Sequence, residues 1–183
     1  MRKKGWLAGI ISAVLFLAAC GMSQAEDYID ENYTFVDAVQ NNSNSNDRAL
    51  LYRSDKSLEE TAEELSQTQE PKDVGEKVDG RQVLVYDDEF IILTEDPDNP
   101  DSTLVEVAED EFVRSNYHPG FFTGMFVGSF LNNRLGSNWN QNQTSRCNRS
   151  GGCYSGGGAY GSFPSGTYGR GSTFRGGGPG EGK

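Results

Sequence analysis

Gln82-Val83-Leu84-Val85-Tyr86, Asp87-Asp88-Glu89 and Phe90-Ile91-Ile92-Leu93-Thr94 are the residues on which the fold turns. Two runs of β-branched, aliphatic and aromatic residues flank three acids, a pattern that predicts two strands joined as a hairpin. A third run, Thr103 to Ala108, alternates well enough to add another strand, reached through Glu95 to Ser102. Upstream, Ser57 precedes Leu58, and Glu60 stands three positions after it, which is a capping box at the start of a helix. Leu58, Ala62 and Leu65 mark one apolar face of that helix, Glu59, Glu63 and Glu64 face water, and Pro71 closes the segment. Ala49 to Tyr52 reads as a short buried strand. Tyr28, Ile29, Tyr33, Val36 and Val39 fall near helical spacing, so Asp27 to Gln40 reads as one amphipathic helix, with Asn41 to Asp47 as a polar loop. Glu109 to Asn116 continues as a short helix with acids first and Arg114 near its end. Residues 26–117 therefore predict a small α+β domain in the order α-β-α-β-β-β, with a mostly antiparallel sheet and one modest core.

Charge divides the chain. Between Glu26 and Tyr117 stand 26 acidic and 7 basic residues, whereas His118 to Lys183 holds 1 acidic and 6 basic. So acidic a body is repelled by nucleic acid and anionic polymers and attracts cations or basic partners.

The first 19 residues have the three parts of a secretory signal: Arg2, Lys3 and Lys4, an apolar run from Trp6 to Leu17, then Ala18 and Ala19. The run turns polar at Ser23, Gln24 and Glu26, too soon to span a bilayer. Leu17-Ala18-Ala19-Cys20 resembles the lipobox of bacterial lipoproteins. That resemblance implies cleavage between Ala19 and Cys20, lipidation of Cys20, residues 20–25 as a lipidated tether, and anchoring to the extracytoplasmic face of the cell membrane. Ser23-Gln24-Ala25 also fits an ordinary signal-peptidase site, which would discard Cys20. With Cys20 lipidated, Cys147 and Cys153 are left as a pair outside the cytoplasm, where a disulfide persists. Two thiolates without a nearby His or second pair cannot complete a tetrahedral metal site.

After Tyr117 the composition changes. Residues 118–131 are rich in Gly and Phe, with Gly120, Gly124 and Gly128 repeating every four residues. On a helix those glycines share a face open to close backbone approach. The segment either packs on the sheet as a last element or enters the membrane interface beside the anchor. Residues 132–183 are dominated by Gly, Ser, Asn and Gln, with Tyr154, Tyr160, Phe163, Tyr168 and Phe174 set among glycines. This composition predicts a disordered tail. As such it is a flexible spacer, or a basic arm that reaches headgroups or wall polymers or folds back on the acidic body.

Candidate chemistry is sparse. Asp96, Asp98 and Asp101 crowd one loop and form a weak candidate cation site, but Pro100 stands where a calcium loop needs a ligand and no Gly follows. His118 is the only histidine, which leaves triads and Cys-His pairs little to work with. There is no phosphate-binding Gly loop before a helix. No catalytic residue, cofactor or nucleic-acid partner is expected.

The lipobox, the small acidic domain, the Tyr117-His118-Pro119-Gly120 junction and the ending Phe174-Arg175-Gly176-Gly177-Gly178 together resemble a domain-of-unknown-function lipoprotein family of Gram-positive bacteria. The resemblance implies no activity and no catalytic residue. The function expected is that of a non-catalytic, membrane-anchored module that interacts with an envelope or membrane protein. The alternative is a lipoprotein that binds a cation, a polyamine or another small ligand through its acids.

Overall fold

The computed structural model describes residues 23–41, 44–150 and 153–154. One antiparallel sheet forms the middle layer. Its strands are β1 (Thr34–Asn41), β2 (Asn44–Ser54), β3 (Asp73–Val74), β4 (Arg81–Val85), β5 (Glu89–Asp96) and β6 (Asn99–Glu109), in spatial order β1-β2-β6-β5-β4-β3. The hairpin of residues 82–94 is present with Leu84 opposite Ile91 and Val85 opposite Phe90. β5 and β6 pair from Glu89↔Glu109 to Asp96↔Asn99, so β6 lies between β5 and β2.

Each face of the sheet is covered. On one face lie α1 (Gln24–Asn32) and α2 (Leu58–Thr68), whose Ala25, Ile29, Leu58, Ala62 and Leu65 pack on Tyr52, Leu84, Ile91, Leu93, Val105 and Val107. The capping box of α2 forms as its sequence predicts, with the Ser57 hydroxyl accepting from the Glu60 amide and the Glu60 carboxylate accepting from the Ser57 amide. The opposite face is covered by α3 (Asp110–Asn116), a 3₁₀ turn at Pro119–Phe122, α4 (Phe130–Leu135) and α5 (Trp139–Ser150). Their Phe112, Tyr117, Phe122, Met125, Leu135 and Trp139 pack on Val83, Val85, Phe90, Ile92 and Ala108. Because both faces are covered, every residue of β6 from Ser102 to Ala108 is buried.

Four expectations are corrected. Asp27 to Gln40 is not one helix: α1 ends at Asn32 and the chain turns into β1, where Ala38 and Val39 pair with Leu50 and Ala49. β-Branched and aromatic residues at Thr34, Phe35, Val36 and Val39 favour the strand, and a sheet partner decides the matter. The strand at Ala49 to Tyr52 is the centre of a longer β2, which absorbs the C-terminal end of the supposed Asn41 to Asp47 loop. The glycines of residues 118–131 do not line a helix. Gly124 and Gly128 have φ of +84° and +66° and make turns, while Phe121, Phe122 and Met125 pack on the sheet. Of the two readings for this segment, the one observed is packing on the domain.

The last correction concerns the tail. Residues 132–150 are ordered as α4 and α5, and the domain runs to Tyr154. Leu131, Leu135, Trp139, Gln143 and Cys147 are all buried and recur every four residues, a stripe along one side of a polar segment. Arg134 ties this layer down, bonding Asp110 Oδ1 through Nε (3.0 Å) and an Nη (2.8 Å), donating to the Asp87 carbonyl, and lying 5.4 Å over the Phe90 ring. The rest of the expected tail, like residues 1–22, lies outside the described residues.

The β3–β4 connection is a further hairpin that the sequence patterning does not predict. Asp79 and Gly80 have φ of +51° and +70° between Val78 and Arg81, which bond each other's backbone in both directions. This is the two-residue loop for which Asp-Gly is favoured.

A chain stopped after Leu131 loses Leu135, Trp139 and Tyr154 from the core. It is expected to show no cooperative urea transition and no near-ultraviolet dichroism, whereas one stopped after Tyr154 retains both. Equal midpoints for the two would place the domain boundary back at residue 131.

Candidate functional site

The most unusual group in the core is the Glu106 carboxylate. Glu106 occupies the middle of β6, opposite Leu51 on one side and Ile92 on the other. Strand alternation sends Val105 and Val107 to the α1–α2 face and Glu106 to the other, and only 1% of it is exposed. The Tyr117 hydroxyl donates to its Oε1 at 2.6 Å and the Tyr154 hydroxyl to its Oε2 at 2.7 Å. Donors aimed at both oxygens are what makes a buried carboxyl group tolerable.

Each tyrosine is held from another direction. Tyr117 follows α3, packs edge-on to Phe112 and Phe121, and lies 4.9 Å from the Tyr154 ring centroid. Tyr154 forms a parallel bridge with Tyr117: its amide donates to the Asn116 carbonyl (3.0 Å), and its carbonyl accepts from the His118 amide (2.9 Å). A disulfide joins Cys147, on the buried side of α5, to Cys153, with Cα atoms 5.1 Å apart. It returns the chain from α5 to the position at which Tyr154 enters the core. Beside it Gln143 Nε2 donates to the carbonyls of Ser115 and Tyr117 at 3.2 and 3.0 Å. Glu106, Tyr117 and Tyr154 are each at most 1% exposed, so this arrangement is a closed polar core rather than a site open to substrate.

A second carboxylate, Glu64 of α2, is bound in the same way near the surface. Tyr28 and Tyr33 donate to its two oxygens at 2.8 Å each, and Lys56 forms an ion pair with it. Burial acts to raise its pKa, but the Lys56 ammonium and the two phenols outweigh it and hold the carboxyl below its usual value. Burial and the Glu64 bond push the Tyr33 phenol far up.

A third group lies at the end of the sheet where α1 begins. Glu89, the first residue of β5, is 7% exposed, and the Ser23 hydroxyl donates to it. Burial raises its pKa to about 7, with the Glu26, Asp88 and Glu109 charges adding to the effect and the Ser23 bond opposing it. Glu26 is raised too, first by burial and then by Asp27 and Glu109.

The residues singled out from sequence are dispersed. Ala19 and Cys20 lie outside the described residues. Cys147 and Cys153 are bonded. In the acidic loop, Asp96 turns inward, where it pairs with Arg53 Nε at 2.8 Å and accepts from the Asp98 amide, while Asp98 and Asp101 are exposed. Burial acts against the Asp96 charge, but the Asp98 amide and Arg53 prevail and lower its pKa. Among the described residues no three His, Cys, Asp or Glu side chains are placed to hold a metal ion. His118 caps the 3₁₀ turn, its Nδ1 accepting from the Gly120 amide at 2.9 Å. Sequence reading missed Glu106, whose one local signal is a lone acid between Val105 and Val107 in an otherwise apolar alternating run.

Over residues 13–183 the chain matches the family described as Domain of unknown function (DUF4247), and it belongs to that family. No curated protein and no solved structure matches it.

Tyr154→Phe and Tyr117→Phe each remove one donor from a buried carboxylate and are expected to cost about 1–3 kcal/mol in urea unfolding. Combining either with Glu106→Gln should cost less than the sum of the two changes, as expected for groups in contact. Strict additivity would show that the bonds contribute nothing. Cys153→Ser is expected to lower stability by about 2 kcal/mol through the short loop alone, and by more as Tyr154 loses its hold.

Proposed function

We propose that this protein is a non-catalytic interaction module, lipidated at Cys20 and held on the extracytoplasmic face of the membrane, whose acidic domain engages a basic surface of an envelope or membrane protein. One observation carries the placement. Ser23 is the N-cap of α1, its hydroxyl accepting from the Glu26 amide at 3.0 Å, and Ala25 is fully buried in the core beneath that helix. Cleavage after Ala25 would cut away the cap and the first buried residue, whereas cleavage before Cys20 leaves the domain whole. The disulfide adds support, since such bonds persist outside the cytoplasm. Among the described residues no helix is long and apolar enough to cross a membrane, so attachment falls to the N-terminal segment in this reading.

The interaction role rests on where the acids lie. α1 and α2 sit side by side on one face of the sheet and expose Asp27, Asp30, Glu31, Glu59, Glu60 and Glu63 along their outer sides. Such a wall repels anionic polymers and steers basic partners toward it at low salt. Only Gly21 and Met22 stand between Cys20 and Ser23, so in this reading the chain can hold the N-cap of α1 no more than about 11 Å from the anchor.

Cys20→Ala is expected to move the protein from the membrane to the soluble or secreted fraction. In-cell cross-linking with mass spectrometry should recover one recurrent envelope protein from the wild type. Links should fall at least several-fold in Asp27→Lys/Glu63→Lys, which changes charge at exposed positions only. A Cys20→Ala protein that stays acylated on the membrane would sink the anchor. A partner retained in full by the charge-reversed variant would sink the acidic wall, and calorimetric binding of a cation or polyamine without any protein partner would replace the reading with the small-ligand one.

A further inference from the structure

Among the described residues four large hydrophobic side chains are exposed, and two of them, Phe35 (56%) and Val36 (39%), are neighbours on β1. β1 is an outer strand of the sheet and pairs with β2 alone. Phe35 stands opposite Tyr52 and meets its ring edge-on at 5.6 Å, and Ala38 stands opposite Leu50. Cross-strand partners share a face, and Tyr52 and Leu50 belong to the α1–α2 face, so Phe35 and Ala38 lie on it too. Tyr52 is buried beneath α1, but the helix stops short of β1, where Phe35 is exposed and Ala38 and Leu50 are only half-buried. What remains beside α1 is a ledge with an apolar floor of Phe35, Ala38 and Leu50 and the helix as its wall.

That wall is acidic. Glu26 and Asp30 stand one helical turn apart on the side of α1 that meets β2, where the Tyr52 hydroxyl donates to Asp30 Oδ1 (3.1 Å) and the Arg48 guanidinium acts on Glu26. Arg48 stands opposite Gln40, at the far end of the ledge from Phe35, so the charge beside the aromatic end is Asp30. Two other cations of this region are bound elsewhere: Arg53, on the opposite face, to Asp96, and Lys56 to Glu64. Charge and backbone together select what can lie on the floor. The acids repel an anionic lipid surface, and a second copy brought up by a two-fold axis would set the same acids against one another. Addition of a strand along β1 is discouraged by the register shift after Phe35 and by Asp37, whose Oδ1 accepts from the Ala38 amide at 2.7 Å.

We propose that the ledge beside α1 is where the partner docks, as a basic amphipathic stretch of polypeptide that covers Phe35 with an apolar side chain and sets Lys or Arg against Asp30 and Glu26. The proposal rests on the reading of the protein as an acidic interaction module and gives that module its binding centre. Exposed charges on α1 and α2 steer a basic partner but contribute little each once it has arrived, because water and salt screen them. An aromatic side chain that becomes buried in the contact contributes more, and it fixes the position of the bound segment.

Photo-crosslinking of the full chain in cells tests it, with p-benzoylphenylalanine in place of Phe35 or, as a control, in place of Val127, which is 90% exposed and follows the Met125 and Phe126 that pack on the other face. The probe at Phe35 should capture the same envelope protein that the charge-sensitive cross-links recover, through a peptide with Lys or Arg within about four residues of the attachment point. The probe at Val127 should not capture it. Phe35→Ser, at an exposed position, should keep the near-ultraviolet dichroism of the domain and lower recovery of that protein by about tenfold. Asp30→Asn leaves the Tyr52 hydroxyl an acceptor, removes the charge, and should lower recovery several-fold at low salt. A partner recovered through the acidic wall but never by the probe at Phe35, or retained in full by both substitutions, would overturn the ledge and leave the wall standing. A probe at Phe35 joined to residues 155–183, or to a second copy of the chain, would overturn it by showing a different occupant. Recovery of no envelope protein by either route would overturn the ledge together with the function proposed above.

Discussion

The structure depends on satisfying a carboxyl group in the middle of its sheet. A carboxyl group between Leu51 and Ile92, covered on its own face by Tyr117 and Tyr154, is tolerable only with donors aimed at both oxygens. Those donors come from opposite sides of a long excursion: Tyr117 ends α3, and Tyr154 arrives after the 3₁₀ turn, α4 and α5. The requirement therefore extends the domain well past its last strand. The disulfide and the Arg134–Asp110 pair can be understood as the means by which the returning segment is brought to that point. A core that demands hydrogen bonds at one location is also more selective about its arrangement than an apolar one.

The centre of the sheet was legible in the sequence because β4, β5 and β6 are dense in β-branched, aliphatic and aromatic residues and separated by acids or turn residues. Residues 82–94 and 103–108 carry that information locally. The capping box at Ser57 and Glu60 is equally local, since both of its bonds lie within four residues. Elements decided by tertiary contact were not legible. Thr34 to Asn41 continues a helical spacing by coincidence, and only pairing with β2 makes it a strand. Its Phe35 and Val36 are partly exposed on the sheet edge, so burial gives little help in reading it.

The C-terminal layer was concealed by composition. Asn, Gln, Ser and Arg dominate residues 132–150, yet the buried positions 131, 135, 139, 143 and 147 keep a strict four-residue interval. A polar segment with one consistent side can still form a layer when that side holds a Trp, two Leu and a disulfide sulfur. The site groups were harder still to read. Nothing near Glu89 in the sequence foretells Ser23, which lies 66 residues away, and nothing near Glu106 foretells Tyr154, 48 residues away. Carboxylates were plentiful in the sequence, and their environments, which the fold alone supplies, distinguish one from another.

The covalent bond between Cys147 and Cys153 also governs how the domain bears tension. A pull on the chain beyond Tyr154 meets Cys153 almost at once, and the load crosses to Cys147 inside the buried side of α5 without unwinding the last turn of that helix. At the other end, a pull through Ser23 acts on a helix lying against the sheet rather than on a strand within it. The two ends are thus mechanically unequal. A load applied between Ser23 and Tyr154 enters through a helix docked by its side chains at one end and through a covalent bond at the other.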